Sequence, residues 1–409
     1  MGVLSVVRHR GRVADPISLQ RALVCAEDRV CALEAQLAQL CGPERPLTPS
    51  LPPSLPRPIR IWMDGAFDMM HYGHANAFRQ GRALGTHLVV GVNDDASISA
   101  CKGPPLMDDA ERLEMVRSCK WVDEVVPHVP YVMSDEYVRW VIETYRIDYV
   151  VHGDDPCIVE GRDVYESAQK IGKYRTIPRT EGVSTTEIVG RMLQITEDPA
   201  PRRLNFFSRA PQPALYVPRE SKFMTTSVML NRFADGTRPP PTGTRVVFVS
   251  GAWDMFHAGH VAFLEAARAL GDYLLVGVHN DAIVNRRRRN QFPVMNLNER
   301  TLSVLSCRHV DDVLIDPPLN LTREMIASLK IATVVHGTGH DDTHTIDASA
   351  SDPYEVPKEM GIFVKLPQQR PLNVQCIVER IRLNHERLAS KVKRKAVAEQ
   401  EYYTNRYGF

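Results

Sequence analysis

The sequence predicts an α/β protein built from two tandem Rossmann-like domains, each with a doubly wound parallel sheet. From residue 60 onward, short apolar segments alternate with segments of helical periodicity. The 409 residues suit two hydrophobic cores of roughly 150 residues better than one. The segment FDMMHYGH at 67–74 also has a near copy, WDMFHAGH, at 253–260. Together these observations predict a duplicated domain.

The elements of the first copy follow in order along the chain. IRIWMDG reads as a strand, HANAFRQGRAL as a helix and HLVVGVNDD as a second strand, which makes a βαβ unit with a right-handed crossover. DAERLEMVRSC is predicted helical, VDEVVP a strand, residues 135–145 a helix and DYVVHGDD a strand. Ligands of such sheets bind beyond the carboxyl ends of the strands, where MDGAFD and HGDD lie.

The duplication is visible residue by residue. One set of identities lies 186 positions apart: Gly65 and Gly251, His71 and His257, His74 and His260, Gly91 and Gly277. A second set lies 188 positions apart: Met107 and Met295, Glu111 and Glu299, Arg112 and Arg300, Cys119 and Cys307. Identities in constant register over such a length indicate a tandem repeat.

The boundaries of the repeat divide the chain into five parts. Residues 1–58 are predicted to be an N-terminal extension with an amphipathic helix and a Pro-rich spacer, and its first residues weakly resemble an organelle-targeting leader. The two domains occupy 59–196 and 245–385, joined by a Pro-rich, irregular linker at 197–244. A basic tail covers 386–409.

Composition excludes several classes of protein. The chain has 50 Lys and Arg against 49 Asp and Glu, so no global field recruits nucleic acid or membrane, and phosphate binding must be local. The 8 cysteines form no CxxC pair, which fits reduced thiols in a cytoplasmic protein. Association with an organelle or endoplasmic reticulum membrane surface is left open.

The HxGH motif suits phosphate chemistry. His71 and His74 lie between a predicted strand end and a helix start, and the intervening glycine permits close approach of the backbone. The helix N-terminus favours an anion, and imidazoles there can donate hydrogen bonds to oxygens that gain charge in a transition state. The alternative is that the two histidines only cap the helix or pack.

Two other segments extend this interpretation. In RTEGVSTT, Arg179 offers a guanidinium to phosphate oxygens, Gly182 frees a turn, and hydroxyl groups precede the next helix. Alone, this segment indicates only a capped helix. Lys102, in the predicted loop SACKGPP, is a candidate mobile cation, with a solvated surface charge as the alternative.

Three motifs resemble the cytidylyltransferases that make CDP-linked alcohols for phospholipid synthesis: GAFDMMHYGH, the lysine before MDDAERLEMVRSCKWVDEVV, and RTEGVSTT. The resemblance is strong over 60–195 and weaker over 245–385. The tandem arrangement resembles the branch of that family that acts on phosphoethanolamine. The resemblance implies that CTP and phosphoethanolamine give CDP-ethanolamine and pyrophosphate, with Mg²⁺, whose ligands the motifs do not identify.

The resemblance also implies roles for individual residues. His71 and His74 would stabilise the α-phosphate, while Lys102 and Arg179 would neutralise the triphosphate. Asp68 would orient the first histidine. The residues implied to bind CTP are Gly65, Ala66, Phe67, Asp68, His71, His74, Thr180, Gly182, Ser184, Thr185 and Thr186, of which Ser184 and Thr185 would hold the outer phosphates. Attack of the substrate phosphate in line needs no covalent intermediate.

The second substrate can be argued from chemistry. A primary ammonium seeks carboxylates or carbonyls, whereas a quaternary ammonium prefers an aromatic cage. Asp154 and Asp155 in HGDDPC therefore favour ethanolamine. The alternatives are that the two aspartates only cap the following segment, or that Tyr131 and Tyr165 supply rings for a quaternary ammonium. The alternative substrates are phosphocholine or another phospho-alcohol.

The second copy retains only part of the site. It keeps His257 and His260, but Gln368 stands in the place of Arg179. Asn373 and Val374 stand in the places of Ser184 and Thr185. We therefore expect a catalytic first half and a vestigial site in the second half, which would be structural or regulatory.

Two other classes compete with this reading. HxGH also occurs in class I aminoacyl-tRNA synthetases and adenylyltransferases, but the chain has no KMSKS-like segment and no basic tRNA-binding domain. A catalytically inactive nucleotide-binding regulator is the other alternative. A homodimer and weak contact with a membrane surface are further expectations.

Overall fold

The computed structural model describes residues 57–154, 158–159, 162–180, 182–197, 226–288, 292–338 and 352–395. The described residues from 58 onward belong to one compact unit. The predicted leader and amphipathic helix, the Pro-rich spacer up to residue 56, Asp155 and the tail beyond residue 395 lie outside the described residues.

The first half contains a five-stranded parallel sheet with the order β3-β2-β1-β4-β7. Its strands are β1 Arg60–Gly65, β2 His87–Asn93, β3 Glu124–Val129, β4 Tyr149–Gly153 and β7 Tyr174–Ile177, and a small antiparallel pair is formed by β5 Ile158–Val159 and β6 Arg162–Asp163. Its helices are α1 Tyr72–Ala83, α2 Asp95–Lys102, α3 Asp109–Ser118, α4 Asp135–Thr144, α5 Glu166–Lys170 and α6 Thr185–Glu197.

The second half repeats this topology with the order β10-β9-β8-β11-β12. Its strands are β8 Val246–Gly251, β9 Tyr273–Val278, β10 Asp312–Ile315, β11 Ile331–Gly337 and β12 Phe363–Leu366. Helix α7 Thr226–Phe233 precedes β8, and the later helices are α8 Ala258–Arg268, α9 Asp281–Arg288, α10 Leu297–Leu305, α11 Arg323–Ser328, α12 Glu355–Glu359, α13 Val374–Leu383 and α14 at 385–395. The predicted fold class is confirmed.

The central strands form because their side chains are buried on both faces of the sheet. Ile61 and Trp62 of β1, and Leu88, Val89 and Val90 of β2, are fully buried, as expected of parallel strands covered by helices on both sides. The seven elements predicted between residues 60 and 155 are present, and so is the helix predicted after RTEGVSTT. Sequence reasoning missed the short edge strand β7 and helix α2, which is polar and begins where the Asp94 carboxylate accepts a hydrogen bond from Ser97 N–H.

The topology creates a crevice at the carboxyl edge of each sheet. The chain leaves β1 toward β2 on one side, while β4 pairs with β1 on the other side. In doubly wound sheets this reversal of strand order marks the place where ligands bind. The HxGH motif begins α1 immediately after β1, and therefore lies at that point.

The two halves pack through reciprocal contacts between equivalent residues. Cys119 and Cys307 form an antiparallel bridge, with hydrogen bonds from Lys120 N–H to Ser306 O at 2.9 Å and from Arg308 N–H to Ser118 O at 2.7 Å. Such reciprocity is the mark of a two-fold relation. The duplication has therefore produced an arrangement within one chain that resembles a symmetric dimer.

Two ion pairs cross the same interface. Arg380 of α13 forms a two-pronged pair with Glu111 of α3, at 2.6 and 2.8 Å. Arg191 of α6 forms the equivalent pair with Glu299 of α10, at 2.8 and 3.0 Å. In each half, the helix that follows the last strand of the sheet thus contributes an arginine that binds a glutamate in a helix of the other half.

Two segments that were not assigned to a domain also pack on the halves. Residues 226–233 form helix α7 instead of the irregular chain expected, because Met229 and Phe233 are buried and the Phe233 ring lies 5.0 Å from that of Trp121. Helix α14 covers the start of the predicted basic tail, and its Leu388 is buried in the core. No helix among the described residues is long and apolar enough to cross a membrane.

Candidate active site at the end of the first strand

The loop between β1 and α1 is held in a strained conformation. Phe67 and Met69 both have φ of 49°, and their equivalents Trp253 and Met255 have φ of 54° and 52°. Residues with side chains rarely adopt this left-handed region unless neighbours enforce it. Fully buried Arg112 provides one restraint, donating from Nη1 to Ala66 O at 2.7 Å.

Asp68 provides the second restraint on this loop. Its carboxylate accepts hydrogen bonds from Leu106 N–H at 2.9 Å and from Met107 N–H at 2.9 Å. Burial raises the pKa of Asp68, while these two backbone donors oppose the shift. The structure therefore places Asp68 between the HxGH loop and the segment before α3, where its carboxylate binds two backbone N–H groups rather than the histidine that it was predicted to orient.

The two histidines hold each other and the helix start. His71 is the N-cap of α1, and its Nδ1 accepts a hydrogen bond from Gly73 N–H at 3.1 Å. His74 Nδ1 accepts from His71 N–H at 3.3 Å, and the two ring centroids lie 4.1 Å apart. A neutral imidazole that accepts at Nδ1 carries its hydrogen at Nε2. Both rings therefore retain an Nε2–H donor.

The glycine of the motif is required by this geometry. A Cβ atom on Gly73 would lie 2.8 Å from His71 Cε1 and 2.8 Å from Val183 Cγ1. Both distances are below van der Waals contact. Only glycine lets the imidazole of His71 fold back onto the backbone N–H while Val183 closes the other side.

Both histidines are neutral at physiological pH. Burial lowers the pKa of His74 to about 4, and the positive charges of Arg179 and Lys395 act in the same direction. Burial, followed by the charges of His74 and Arg179, lowers the pKa of His71 well below its usual range. Neutral histidines can donate from Nε2 without titrating between pH 5 and 8.

The RTEGVSTT segment is anchored against α1 and β4. Thr180 Oγ1 accepts a hydrogen bond from Asn76 Nδ2 at 2.8 Å, and the Asp154 carboxylate accepts from Arg179 N–H at 3.1 Å. Ser184 caps α6 by accepting from Glu187 N–H at 3.1 Å. Asp154, predicted to bind substrate, therefore holds the backbone of the phosphate-binding segment.

The remaining residues of this segment open the turn and begin the helix. Gly182 has φ of +79°, a left-handed conformation that glycine adopts without strain. Thr185 and Thr186 lie in the first turn of α6 and are half-buried, with Thr185 Oγ1 3.5 Å from Asp68 O. The segment thus brings a second helix N-terminus beside the histidines.

Lys102 and Tyr131, predicted separately, contact each other. Lys102 is the last residue of α2 and not part of a loop, because the helix continues through ISACK. Its exposed ammonium lies 4.6 Å from the ring centroid of buried Tyr131, a cation–π contact. The two residues form one wall beside the segment that begins at Gly103.

Sequence reasoning missed Asp64, a buried carboxylate at the end of β1. Its Oδ1 accepts a hydrogen bond from Trp62 Nε1 at 3.1 Å, and the Tyr165 hydroxyl lies 3.4 Å from Oδ2. The rings of His152 and Tyr174 flank Tyr165, at 4.5 and 5.6 Å between centroids. Burial raises the pKa of Asp64 to about 7. The second copy has Ser250 at this position, a difference between the repeats that could have revealed Asp64.

Comparison with known proteins places this site in a family. A family model described as cytidylyltransferase-like matches residues 62–191 and 248–354, which together exceed half of the chain. The chain is 43% identical to the ethanolamine-phosphate cytidylyltransferase of Arabidopsis thaliana, over 85% of this chain and 86% of that protein. It is 43% identical to the enzyme of the same name from Dictyostelium discoideum, over 84% and 96% of the two chains. A choline-phosphate cytidylyltransferase of Arabidopsis thaliana matches at 41% over only 34% of this chain.

The chain belongs to the ethanolamine-phosphate cytidylyltransferase family. The protein is therefore a nucleotidyltransferase that acts on small-molecule substrates. The two segments matched by the family model correspond to the two sheets, as expected of tandem cytidylyltransferase domains.

The second cytidylyltransferase-like domain keeps the scaffold of the site. His257 Nδ1 accepts from Gly259 N–H at 3.1 Å, and His260 Nδ1 accepts from His257 N–H at 3.3 Å. Asn373 caps α13 as Ser184 caps α6, by accepting from Cys376 N–H at 2.9 Å. The substitution of Ser184 by asparagine thus preserves the helix cap.

The second domain differs from the first in the side chains that surround its HxGH motif. Gln368, whose N–H donates to Thr338 Oγ1 at 3.2 Å, replaces the guanidinium of Arg179. Phe256 replaces Met70 and stacks on His260 with 5.6 Å between centroids. The arginine-rich segment NRRRRNQFP stands in the second copy where the first has Lys102, and the side chain of Arg288 in it lies outside the described residues.

Proposed function

We propose that the first half transfers CMP from CTP to phosphoethanolamine, releasing pyrophosphate and CDP-ethanolamine for phosphatidylethanolamine synthesis. The observation that carries this proposal is the pair of neutral histidines with Nε2–H donors at the start of α1. They lie where the strand order reverses, beside a second helix N-terminus and Arg179. The names of the relatives supply the identity of the alcohol.

The reaction requires positioning and charge stabilisation. An oxygen of the phosphoethanolamine phosphate attacks the α-phosphorus of CTP in line, a P–O bond forms, and the bond to the β-phosphate breaks to release pyrophosphate. His71 and His74 donate to the α-phosphate oxygens as their charge grows, together with the N–H groups of α1. Arg179 and Lys102 neutralise the departing pyrophosphate, and no proton transfer to a histidine is needed.

Asp64 supplies the recognition of the ammonium group in this proposal. A buried carboxylate beside Tyr165 offers charge and hydrogen-bond acceptors to a primary ammonium. A trimethylammonium group could use only the charge and the rings. Asp154 contributes by holding Arg179 in place.

Magnesium would enter bound to the triphosphate. Mg²⁺ prefers phosphate oxygens and water to a cage made wholly of protein ligands. The cations and N–H donors around His74 fit the free oxygens of such a nucleotide, while the Asp68 carboxylate is engaged with backbone donors. We expect turnover to need added Mg²⁺ and to be lost when a chelator removes it.

The test of the proposed function is turnover of labelled CTP by the full chain with a panel of phospho-alcohols. We expect phosphoethanolamine to exceed phosphocholine by well over tenfold in kcat/KM, because only the primary ammonium satisfies Asp64 with hydrogen bonds. Equal use of both substrates would contradict the assignment of the ammonium site. Binding of CTP without turnover of any alcohol would favour the inactive regulator.

Asp64 should also impose a pH dependence on binding of the second substrate. Since its pKa is about 7 and ammonium binding needs the ionised carboxylate, the KM for phosphoethanolamine should rise about fivefold from pH 7 to pH 6. Asp64→Asn should raise this KM by 10- to 100-fold at pH 8. The variant should also abolish that part of the pH dependence, leaving only the titration of the substrate phosphate. An unchanged pH profile in Asp64→Asn would exclude this role.

A homodimer and weak contact with a membrane surface remain proposals. Lys393 and Arg394 are exposed on α14, which supports attraction to anionic lipid. Sedimentation equilibrium measures the first proposal and co-sedimentation with anionic vesicles the second; a monomer, or protein left in the supernatant, would reject the corresponding one.

A further inference from the structure

Helix α14 belongs to the second half in sequence but lies against the site of the first half. Arg387 Nη1 donates to Pro104 O at 3.1 Å, two residues beyond Lys102. Leu388 is buried in the core, and Val392 Cγ1 lies 3.7 Å from the position a Cβ would take on Gly190 of α6. The helix therefore runs from the segment after Lys102 to the helix that follows the RTEGVSTT segment.

Three cationic side chains lie along one face of α14. Lys391 and Lys395 follow Arg387 at steps of four residues, so the three lie on the same face, about 6 Å apart along the axis. Burial raises the pKa of Asp68 of the HxGH loop, and the charge of Lys391 opposes this shift. Besides burial, the charges of Arg179 and Lys395 lower the pKa of His74. Cations from both halves thus converge on the catalytic histidine.

Lys391 is positioned as a ligand-binding lysine would be. It is half-buried, and it donates no hydrogen bond to any residue that the structure describes. Burial lowers its pKa, as do Lys395 and Arg387, while Asp68 opposes the shift. An anion with several charges that binds among such cations offsets their mutual repulsion, and it thereby stabilises the charged form of the lysine.

We propose that α14 completes the triphosphate site of the first half, with Lys391 and Lys395 contacting the outer phosphates of CTP and then the released pyrophosphate. This inference rests on the proposed function, since it concerns the same nucleotide. Within the first half, Arg179 and Lys102 are the predicted cations, and a triphosphate carries more negative charge than these two can neutralise. The second half would therefore serve catalysis by delivering cations from its end, even though its own site has lost the equivalent of Arg179.

The experiment uses the full chain and charge-removing variants that keep the stem of the side chain. Lys391→Met and Lys395→Met, singly and together, are compared with Lys393→Met, an exposed lysine of the same helix about 200° around from Lys391. Steady-state kinetics gives the KM for CTP, the KM for phosphoethanolamine and the inhibition constant of pyrophosphate. Thermal unfolding checks that each variant is folded.

We expect the double variant to raise both the KM for CTP and the inhibition constant of pyrophosphate by at least tenfold, with the KM for phosphoethanolamine changed less than twofold. Lys391→Arg should restore most of the loss, and Lys393→Met should resemble the parent protein. If α14 only packed against the domain, the variants would not raise the KM for CTP and the inhibition constant of pyrophosphate while leaving the KM for phosphoethanolamine unchanged.

Two results would overturn the inference. One is an unchanged KM for CTP in the double variant; the other is a lower KM or a higher kcat, which would make α14 an inhibitory cover. If the parent protein did not turn over CTP, the proposed function would fail first. Calorimetric titration with pyrophosphate would then decide the inference separately: weaker binding by the double variant supports it, and equal binding rejects it.

Discussion

His74→Ala should lower kcat by about 10²- to 10³-fold, whereas the equivalent change His260→Ala should leave most of the activity. Loss of one preorganised donor to a developing negative charge costs roughly 3 to 4 kcal/mol of transition-state stabilisation. His74 retains its Nε2–H donor beside Arg179, while His260 lies in a site where glutamine has replaced that arginine. His71→Ala should match His74→Ala for the same reason.

Because His74 and His260 occupy equivalent positions in the two halves, His260→Ala is a control for the effect of His74→Ala on folding. His74 and His260 both accept a hydrogen bond from the backbone of the preceding N-cap residue, each at 3.3 Å. Their removal should therefore lower stability by a similar amount, about 1 kcal/mol. Steady-state kinetics and thermal unfolding on the two variants separate catalysis from folding. Equal loss of activity in a folded His260→Ala variant would mean that the second half holds an active site or part of one.

Arg112→Met should reduce the free energy of unfolding by about 2 to 3 kcal/mol, because the charged donor to a buried carbonyl is lost while the carboxylates of Asp95 and Asp109, 39% and 34% exposed, keep access to water. The guanidinium of Arg112 is fully buried and donates to Ala66 O and to Asp95, each at 2.7 Å, and it also pairs with Asp109. Its loss leaves the Ala66 carbonyl without this donor and releases the strained HxGH loop. Chemical denaturation monitored by circular dichroism measures the change.

Arg300→Met is the matched control for this second prediction. Arg300 is equally buried and donates to Ala252 O at 2.5 Å, to His279 O at 2.7 Å and to Asp281 at 2.7 Å. We expect a similar loss of stability from both variants. At temperatures where both are folded, we expect a loss of kcat only in Arg112→Met, since only its loop carries the catalytic histidines. Equal kcat in the two variants would show that the arginine stabilises the domain without positioning the site.

The sequence by itself determined the fold class, the duplication and the motifs of the site. These features are local: strand and helix periodicity, a glycine between two histidines, and hydroxyls before a helix are each set within a few residues. The identity of the catalytic half also followed from the sequence as a prediction, because Gln368 stands where Arg179 does in the first copy. The flanking identities, Pro178 with Pro367 and Arg191 with Arg380, made that comparison possible.

Tertiary structure alone decided which of these residues face each other. Arg380 and Glu111 are 269 positions apart, and nothing local in either segment indicates their pairing across the halves. In the sequence Asp64 is only the end of a buried strand, whereas in the structure Trp62 and Tyr165 enclose its carboxylate. Helix α14 read as a basic tail because its charges are a local property, whereas its contact with Pro104 depends on how the two halves pack. Contacts of this kind depend on the packing of distant surfaces, which local patterns in the sequence do not encode.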